Sequence, residues 1–159
     1  MEILIKENES QQSEIANKTE VLNQLEGKVK EWVEDHVDKR KLWFSSDFLP
    51  ADEKMNDDQE TNYKQLRERS RGIKDEVRVA VALNLLTEEG LPHFHRLIAQ
   101  HLGDRSFWSK WNNMWTAEED RHGAVIRDYV RDAHLFSFRE VELMQFHYIE
   151  SGFNPDWDK

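Results

Sequence analysis

Between residues 75 and 101 the chain is apolar on almost every side of a helical projection, yet that stretch carries the acidic pair Glu88-Glu89. Val77, Val79, Val81, Leu83, Leu85, Leu86, Leu91, Phe94, Leu97 and Ile98 leave it no polar face, and a helix apolar all round is expected to be covered by others. Asp75 and Glu76 suit its positive N-terminal end. Pro92 removes a backbone donor and is expected to bend the helix just after Glu88, and Gly103 to end it. Glu88 falls one turn after Leu85 and one turn before Leu91. A carboxylate on such a face is costly to bury unless it is paired or bound to a metal ion.

The rest of the chain reads as helix too. Gly (6) and Pro (3) are too sparse in 159 residues to punctuate strands and hairpins, so the fold class is all-α and the length fits one domain. Residues 1–12 are polar and expected to form a flexible N-terminus. A first helix follows, with Leu22, Leu25, Val29, Trp32, Val33, His36 and Val37 as its apolar stripe and Lys39-Arg40-Lys41 at its end. Residues 42–50, rich in Trp43, Phe44 and Phe48, are expected to be extended and packed. Residues 51–61 are acidic and expected to be flexible, with a short basic helix over 63–71. A long helix is predicted over 106–134 and a shorter one over 137–150. Ser137 and Glu140 form a capping-box signature for the latter, and Gly152 and Asn154-Pro155 stop it.

Composition narrows the chemistry. Without cysteine, disulfides, thiolate zinc sites and iron–sulfur clusters are excluded within the chain, so a metal must be held by carboxylates and imidazoles, a donor set that favours non-haem iron or manganese. A net charge of −10 argues against nucleic acid as a general partner. No run is apolar and long enough to span a membrane, and the acidic N-terminus resembles neither a secretory signal nor a transit peptide, so the expected location is cytoplasmic.

Glu119 and His122 are three residues apart, hence on one helical face and able to grip one ion together. Seven His in a Glu-rich chain make about one such spacing expected by chance, and a surface Glu–His pair is the plain alternative. Trp115 before it and Gly123 after it give that face an apolar character and room for close helix approach. Periodicity leaves open which of Glu88 and Glu89 points inward. Glu89, Glu118, Asp120 and Arg121 read either as groups orienting the ligands or as surface charges. The other histidines, His95 among them, read as core or surface residues, and Trp108, Trp111 and Trp115 as core packing. Di-iron sites in ferritin-like bundles use a lone Glu from each of two helices and a Glu-x-x-His from each of two others. This sequence supplies one Glu-x-x-His, and Glu88 or Glu89 as a lone Glu.

Taken in order, the chain resembles the N-terminal part of the soluble acyl-[acyl-carrier-protein] desaturases of the stearoyl type. The resemblance is carried by Trp43, Asp47-Phe48-Leu49-Pro50, Leu66-Arg67-Glu68-Arg69 and Thr87-Glu88-Glu89-Gly90-Leu91-Pro92. It continues through Trp111, Trp115-Thr116-Ala117-Glu118-Glu119-Asp120-Arg121-His122-Gly123 and Ser151-Gly152-Phe153-Asn154-Pro155. It implies a ferritin-like di-iron helical bundle in which Glu88 is a lone terminal ligand, Glu119 a bridging carboxylate and His122 a terminal imidazole, with two Fe(2+) per complete site. It further implies Trp43 on the electron-entry route, Leu97, Ile98, Gln100 and His101 along the acyl channel, and Lys39, Arg40 and Lys41 facing the acidic carrier protein.

The implied reaction is oxygen-dependent introduction of a cis double bond into a saturated acyl chain on acyl carrier protein, with ferredoxin as electron donor and a homodimeric enzyme. Family members continue with another Glu and another Glu-x-x-His. Residues 13–159 are therefore expected to be the N-terminal part of a desaturase domain, truncated and inactive alone. The alternative is a ferritin-like iron-binding module that completes its di-iron site by homodimerisation, since a two-fold interface brings two copies of the same residues together.

Overall fold

The computed structural model describes residues 2–50, 57–103 and 106–152. Its helices are α1 (Glu2–Lys39), α2 (Asp57–Ser70), α3 (Asp75–Glu89), α4 (Leu91–Leu102), α5 (Phe107–Asp132) and α6 (Phe138–Ser151), with a 3-10 turn at Ser45–Asp47. No strand occurs among the described residues, so the all-α expectation holds. None of the described helices is long and apolar enough to cross a membrane.

Four expectations are corrected. The backbone is helical from Glu2, well before residue 13, because no Gly or Pro interrupts the good helix formers ahead of Gly27. The expected single helix over 75–101 is two, α3 and α4, with Gly90 between them. Pro92 cannot donate to the Glu88 carbonyl four residues back, and as the second residue of α4 it sits where a missing N–H costs nothing. Residues 42–50 are not an extended packed strip: they carry the 3-10 turn, and Leu42, Phe44 and Phe48 are exposed. Residues 57–61 belong to α2, whereas the expected flexible stretch 51–56 and the Asn154-Pro155 stop lie outside the described residues.

The chain divides into two compact units. In the unit formed by Met1–Lys41 and Ile98–Asn113, Val29 and Val33 are buried. Leu25, Trp32 and Val37 of the same predicted stripe are exposed. Two α1 groups receive the start of α5: the Phe107 backbone N–H donates to the Glu26 carboxylate (3.0 Å) and the Trp108 indole N–H to the Leu22 carbonyl (3.0 Å). A carboxylate there satisfies an otherwise orphaned donor and meets the positive end of the helix dipole.

The unit formed by Leu42–Leu97 and Met114–Lys159 is organised on Leu85, Val130, Leu135 and Val141, with Ile73, Val81, Ile126, Tyr129 and Phe136 packed around them. Val77, Val79 and Leu83 of α3 are exposed, so the expectation of burial all round does not hold for this helix. The end of α5 is closed by a Schellman turn. His134 takes a left-handed φ of 50°, Leu135 N–H donates to the Val130 carbonyl (3.1 Å), and His134 N–H donates to that of Arg131 (3.2 Å). The accompanying apolar contact is between Leu135 and Val130, both in the core.

Side chains from α2 and α3 then meet the carbonyls exposed by that turn. Arg67 Nε donates to Asp132 (3.1 Å), the Ser70 hydroxyl to Ala133 (2.6 Å), and Arg78 Nη1 to Leu135 (2.6 Å). Ser137 takes the N-cap position of α6 as expected, but its side chain makes no capping hydrogen bond.

Candidate metal centre

Glu88, in the last turn of α3, and Glu119 and His122, one turn apart on α5, converge so that one ligand atom from each lies within 4.8 Å of the other two. The approach of the helices depends on Gly123. A Cβ built there would stand 3.2 Å from the Cβ of Glu88, so nothing larger than hydrogen fits without α3 and α5 moving apart by a few tenths of an ångström. Gly123→Ala is therefore expected to cost about 1 kcal/mol net, overpacking outweighing the better helix propensity of alanine. The urea midpoint and a severalfold weaker Co2+ affinity would register it.

Electrostatics at the site are those of a cation trap. Burial raises the pKa of the Glu88 carboxyl above the usual range, the charge of Glu119 raises it further, and His122 offsets part of this. His122 Nδ1 lies 2.8 Å from Glu119 Oε2, and because a carboxylate only accepts, Nδ1 carries the hydrogen in this arrangement. The His122 side chain is 46% exposed and that of Glu119 27%, which leaves ligand atoms open to an ion. Two carboxylates crowded together with one imidazole suit a hard divalent ion such as iron or manganese, and the site fits one.

A raised carboxyl pKa in the folded state means the folded chain binds that proton more tightly than the unfolded chain. The resulting stability is fully present below the unfolded pKa of Glu88 and is lost as pH rises through its raised folded pKa. Glu88→Gln is expected to flatten this part of the pH–stability profile and to raise the metal-free chain's stability at neutral pH. Urea unfolding from pH 4 to 8 tests it, and a slope identical to that of the unaltered chain would refute it.

The structure separates the acidic neighbours. Glu89 is not among the three converging residues and accepts from Arg127 Nη2, so Glu88 is the member of the pair at the centre. Glu118 pairs with Arg121 (3.8 Å). A cavity of about 440 Å³ adjoins the centre, lined by Glu88, Glu89, Leu91, Pro92, His95, Thr116, Asp120, Gly123, Arg127 and Ile149. His95 Nδ1 and Thr116 Oγ1 are 2.7 Å apart in its wall.

Trp43 joins the same centre. Its ring stacks on His122 with centroids 5.7 Å apart and 15° between planes. Leu97 and Ile98 are half-buried, Gln100 and His101 are exposed, and none of the four lines the cavity. His101 Nδ1 lies 2.7 Å from Lys18 Nζ. Lys39 pairs with Asp35, and Lys41 is exposed. Sequence reasoning missed Arg127, which belongs to no motif and is recognisable only once α3 and α5 are packed. It also left His95 as core or surface, although its partner Thr116 lies within the Trp115–Gly123 string that carries the family resemblance.

Two carboxylates and an imidazole converging from two helices form a group that could hold a metal ion in an all-helical protein, and the sequence comparisons say which family the chain belongs to. A family profile described as fatty acid desaturase matches residues 17–159, and the chain belongs to that family. The all-helical architecture agrees with the ferritin-like bundle of the group. DesA1 of Mycobacterium tuberculosis, provisionally named an acyl-[acyl-carrier-protein] desaturase, is 32% identical over 140 residues, covering 86% of this chain and 40% of its own length. The seed-specific chloroplastic stearoyl-[acyl-carrier-protein] 9-desaturase of Brassica napus is 31% identical, covering 87% of this chain and 36% of its own. Acyl-[acyl-carrier-protein] desaturase 6, chloroplastic, from Oryza sativa subsp. japonica is 34% identical, with 87% and 35% covered. The chain thus spans 35 to 40% of the length of these relatives.

Proposed function

We propose that this chain contributes half of the metal centre of an acyl-[acyl-carrier-protein] desaturase, which introduces a cis double bond into a saturated acyl chain at the expense of oxygen. The observation carrying the reading is the convergence of Glu88, Glu119 and His122 from two helices of a family member. These residues would hold Fe(2+), two per complete site, and iron when bound supplies the oxygen activation that an unactivated methylene requires. A second Glu-x-x-His does not occur in the sequence, so the remaining ligands would come from elsewhere in the working enzyme.

The chain's own residues divide the remaining work. Glu88 and Glu119 bring negative charge that a divalent ion neutralises, and His122 orients toward it through Glu119. Trp43, stacked on His122, is the contact by which electrons from ferredoxin would enter. Leu97, Ile98, Gln100 and His101 would border the acyl channel. Lys39, Arg40 and Lys41 would meet the acidic carrier protein, a local complementarity compatible with the net charge of −10. The working enzyme would be a cytoplasmic homodimer.

The exposure of His122 and Glu119 favours a second reading, in which another copy of this chain completes the centre as an iron-binding module. Anaerobic Fe(2+) titration with solution mass measured in parallel separates the two. Two irons taken up by a chain dimer support the module. Weak uptake by the chain alone, converted to two irons once the other ligand helices are present and then to desaturation of a saturated acyl carrier protein thioester on admission of oxygen and reduced ferredoxin, supports the desaturase. A complete ligand set that binds iron and leaves that thioester unchanged with oxygen and reduced ferredoxin supplied overturns it.

A further inference from the structure

Trp43 reaches His122 from a stretch of chain whose other ties lie away from α5: its ring meets that of Phe48 edge-on (5.7 Å), and the Tyr63 hydroxyl donates to the Pro50 carbonyl (2.7 Å). Leu42, Phe44 and Phe48 around it are exposed, and the 3-10 turn that follows has no buried residue. The turn is braced internally, the Phe44 N–H donating to Asp47 Oδ2 (2.8 Å), but that bond does not touch α5.

The contact with α5 is made by Arg121. Its Nη1 donates to the Trp43 carbonyl (3.3 Å), and its guanidinium carbon lies 5.1 Å from the Trp43 ring centroid, within cation–π range. Only 13% of the Arg121 side chain is exposed, and Glu118, one turn back on α5, lies 3.8 Å from Nη2. One planar side chain thus grips both the backbone and the ring of a single residue, while its neighbour on α5 offers the imidazole on which that ring stacks.

We propose that Arg121 is a positioning residue that fixes Trp43 against His122, with Glu118 holding the guanidinium in place. The functional meaning rests on the reading of His122 as a metal ligand and Trp43 as its electron-entry contact. The work requires arginine: lysine supplies the charge but neither the planar fork nor the stacking face.

The test uses the full chain without metal, so its outcome is independent of whether iron binds. Stacking on an indole displaces the ring C–H signals of His122 upfield in a carbon–proton correlation spectrum. The signals are identified by their loss in His122→Gln, and Trp43→Leu sets the unstacked position. In Arg121→Met the displacement is expected to fall by more than half while the His95 and His134 signals stay in place, and in Arg121→Lys to be intermediate. A full displacement in Arg121→Met overturns the proposal, as does a variant in which every histidine shifts together, since that would be general loosening of the fold. Should Arg121→Met fail to fold, Arg121→Lys and Glu118→Gln decide: unchanged stacking in both overturns the proposal, and a reduced displacement in either supports it. A wild-type chain with His122 displaced, together with no uptake of Co2+ even when the other ligand helices are present, would remove the metal reading and leave the clamp standing.

Discussion

Replacing either Glu119 or His122 by alanine is expected to lower the chain's affinity for Co2+ by at least about a hundredfold, since even outer-shell partners of a metal ligand are worth about ten- to a hundredfold. The two substitutions should be close to equivalent and far from additive. The residues sit one turn apart and already share a hydrogen bond of 2.8 Å, so removing one leaves the other with no preferred orientation. His122→Ala should also cost little stability, because its side chain is nearly half exposed. Calorimetric titration alongside urea unfolding separates the effects, and a variant that keeps wild-type affinity would sink the assignment. Arg127→Met provides the contrast. It releases Glu89, which is not one of the three converging residues, so Co2+ affinity should change only severalfold.

The largest effect on stability is expected from Arg78→Met, about 3 kcal/mol, read as a fall in the urea midpoint. Arg78 donates to the carbonyls of Ile73 (3.1 Å), Ser70 (3.1 Å) and Leu135 (2.6 Å), tying the α2–α3 corner to the turn that ends α5. Methionine has a similar apolar stem but donates nothing, so three acceptors in a partly buried corner lose their partner at once. Leu135 belongs to the core, so the damage reaches the packing of Val130 and Val141 as well. Arg78→Lys should recover part of the loss, because an ammonium has donors enough but no fixed fork to span three carbonyls. A change below about 1 kcal/mol in Arg78→Met would mean that water replaces the guanidinium without penalty.

The helical class was legible because scarce Gly and Pro and a 3.6-residue apolar period are local properties. The helix stops at Gly103 and Gly152 were legible for the same reason, and both glycines take positive φ, 81° and 73°. The convergence of Glu88 with Glu119 and His122 was anticipated from spacing and from the family resemblance together. Spacing alone left Glu88 and Glu89 equivalent; the convergence of Glu88 with Glu119 and His122 and the pairing of Glu89 with Arg127 distinguish them. Burial was the least legible property. Val77, Val79 and Leu83 read as core because they are apolar, but burial depends on what packs against a residue, which periodicity does not encode. The Arg121–Trp43 contact and the three carbonyl contacts of Arg78 link residues distant in sequence or oriented by a turn, so no local pattern announces them.

The three converging residues also differ in when they can act. Glu119 and His122 adopt their mutual geometry as soon as one turn of α5 winds, an event of local contacts and short times. Glu88 joins them only after α3 has docked at Gly123, a step that closes the chain between two helices. A metal ion held by all three would therefore draw its binding free energy from the docked pair of helices and return it to that contact, acting as a latch on their docking.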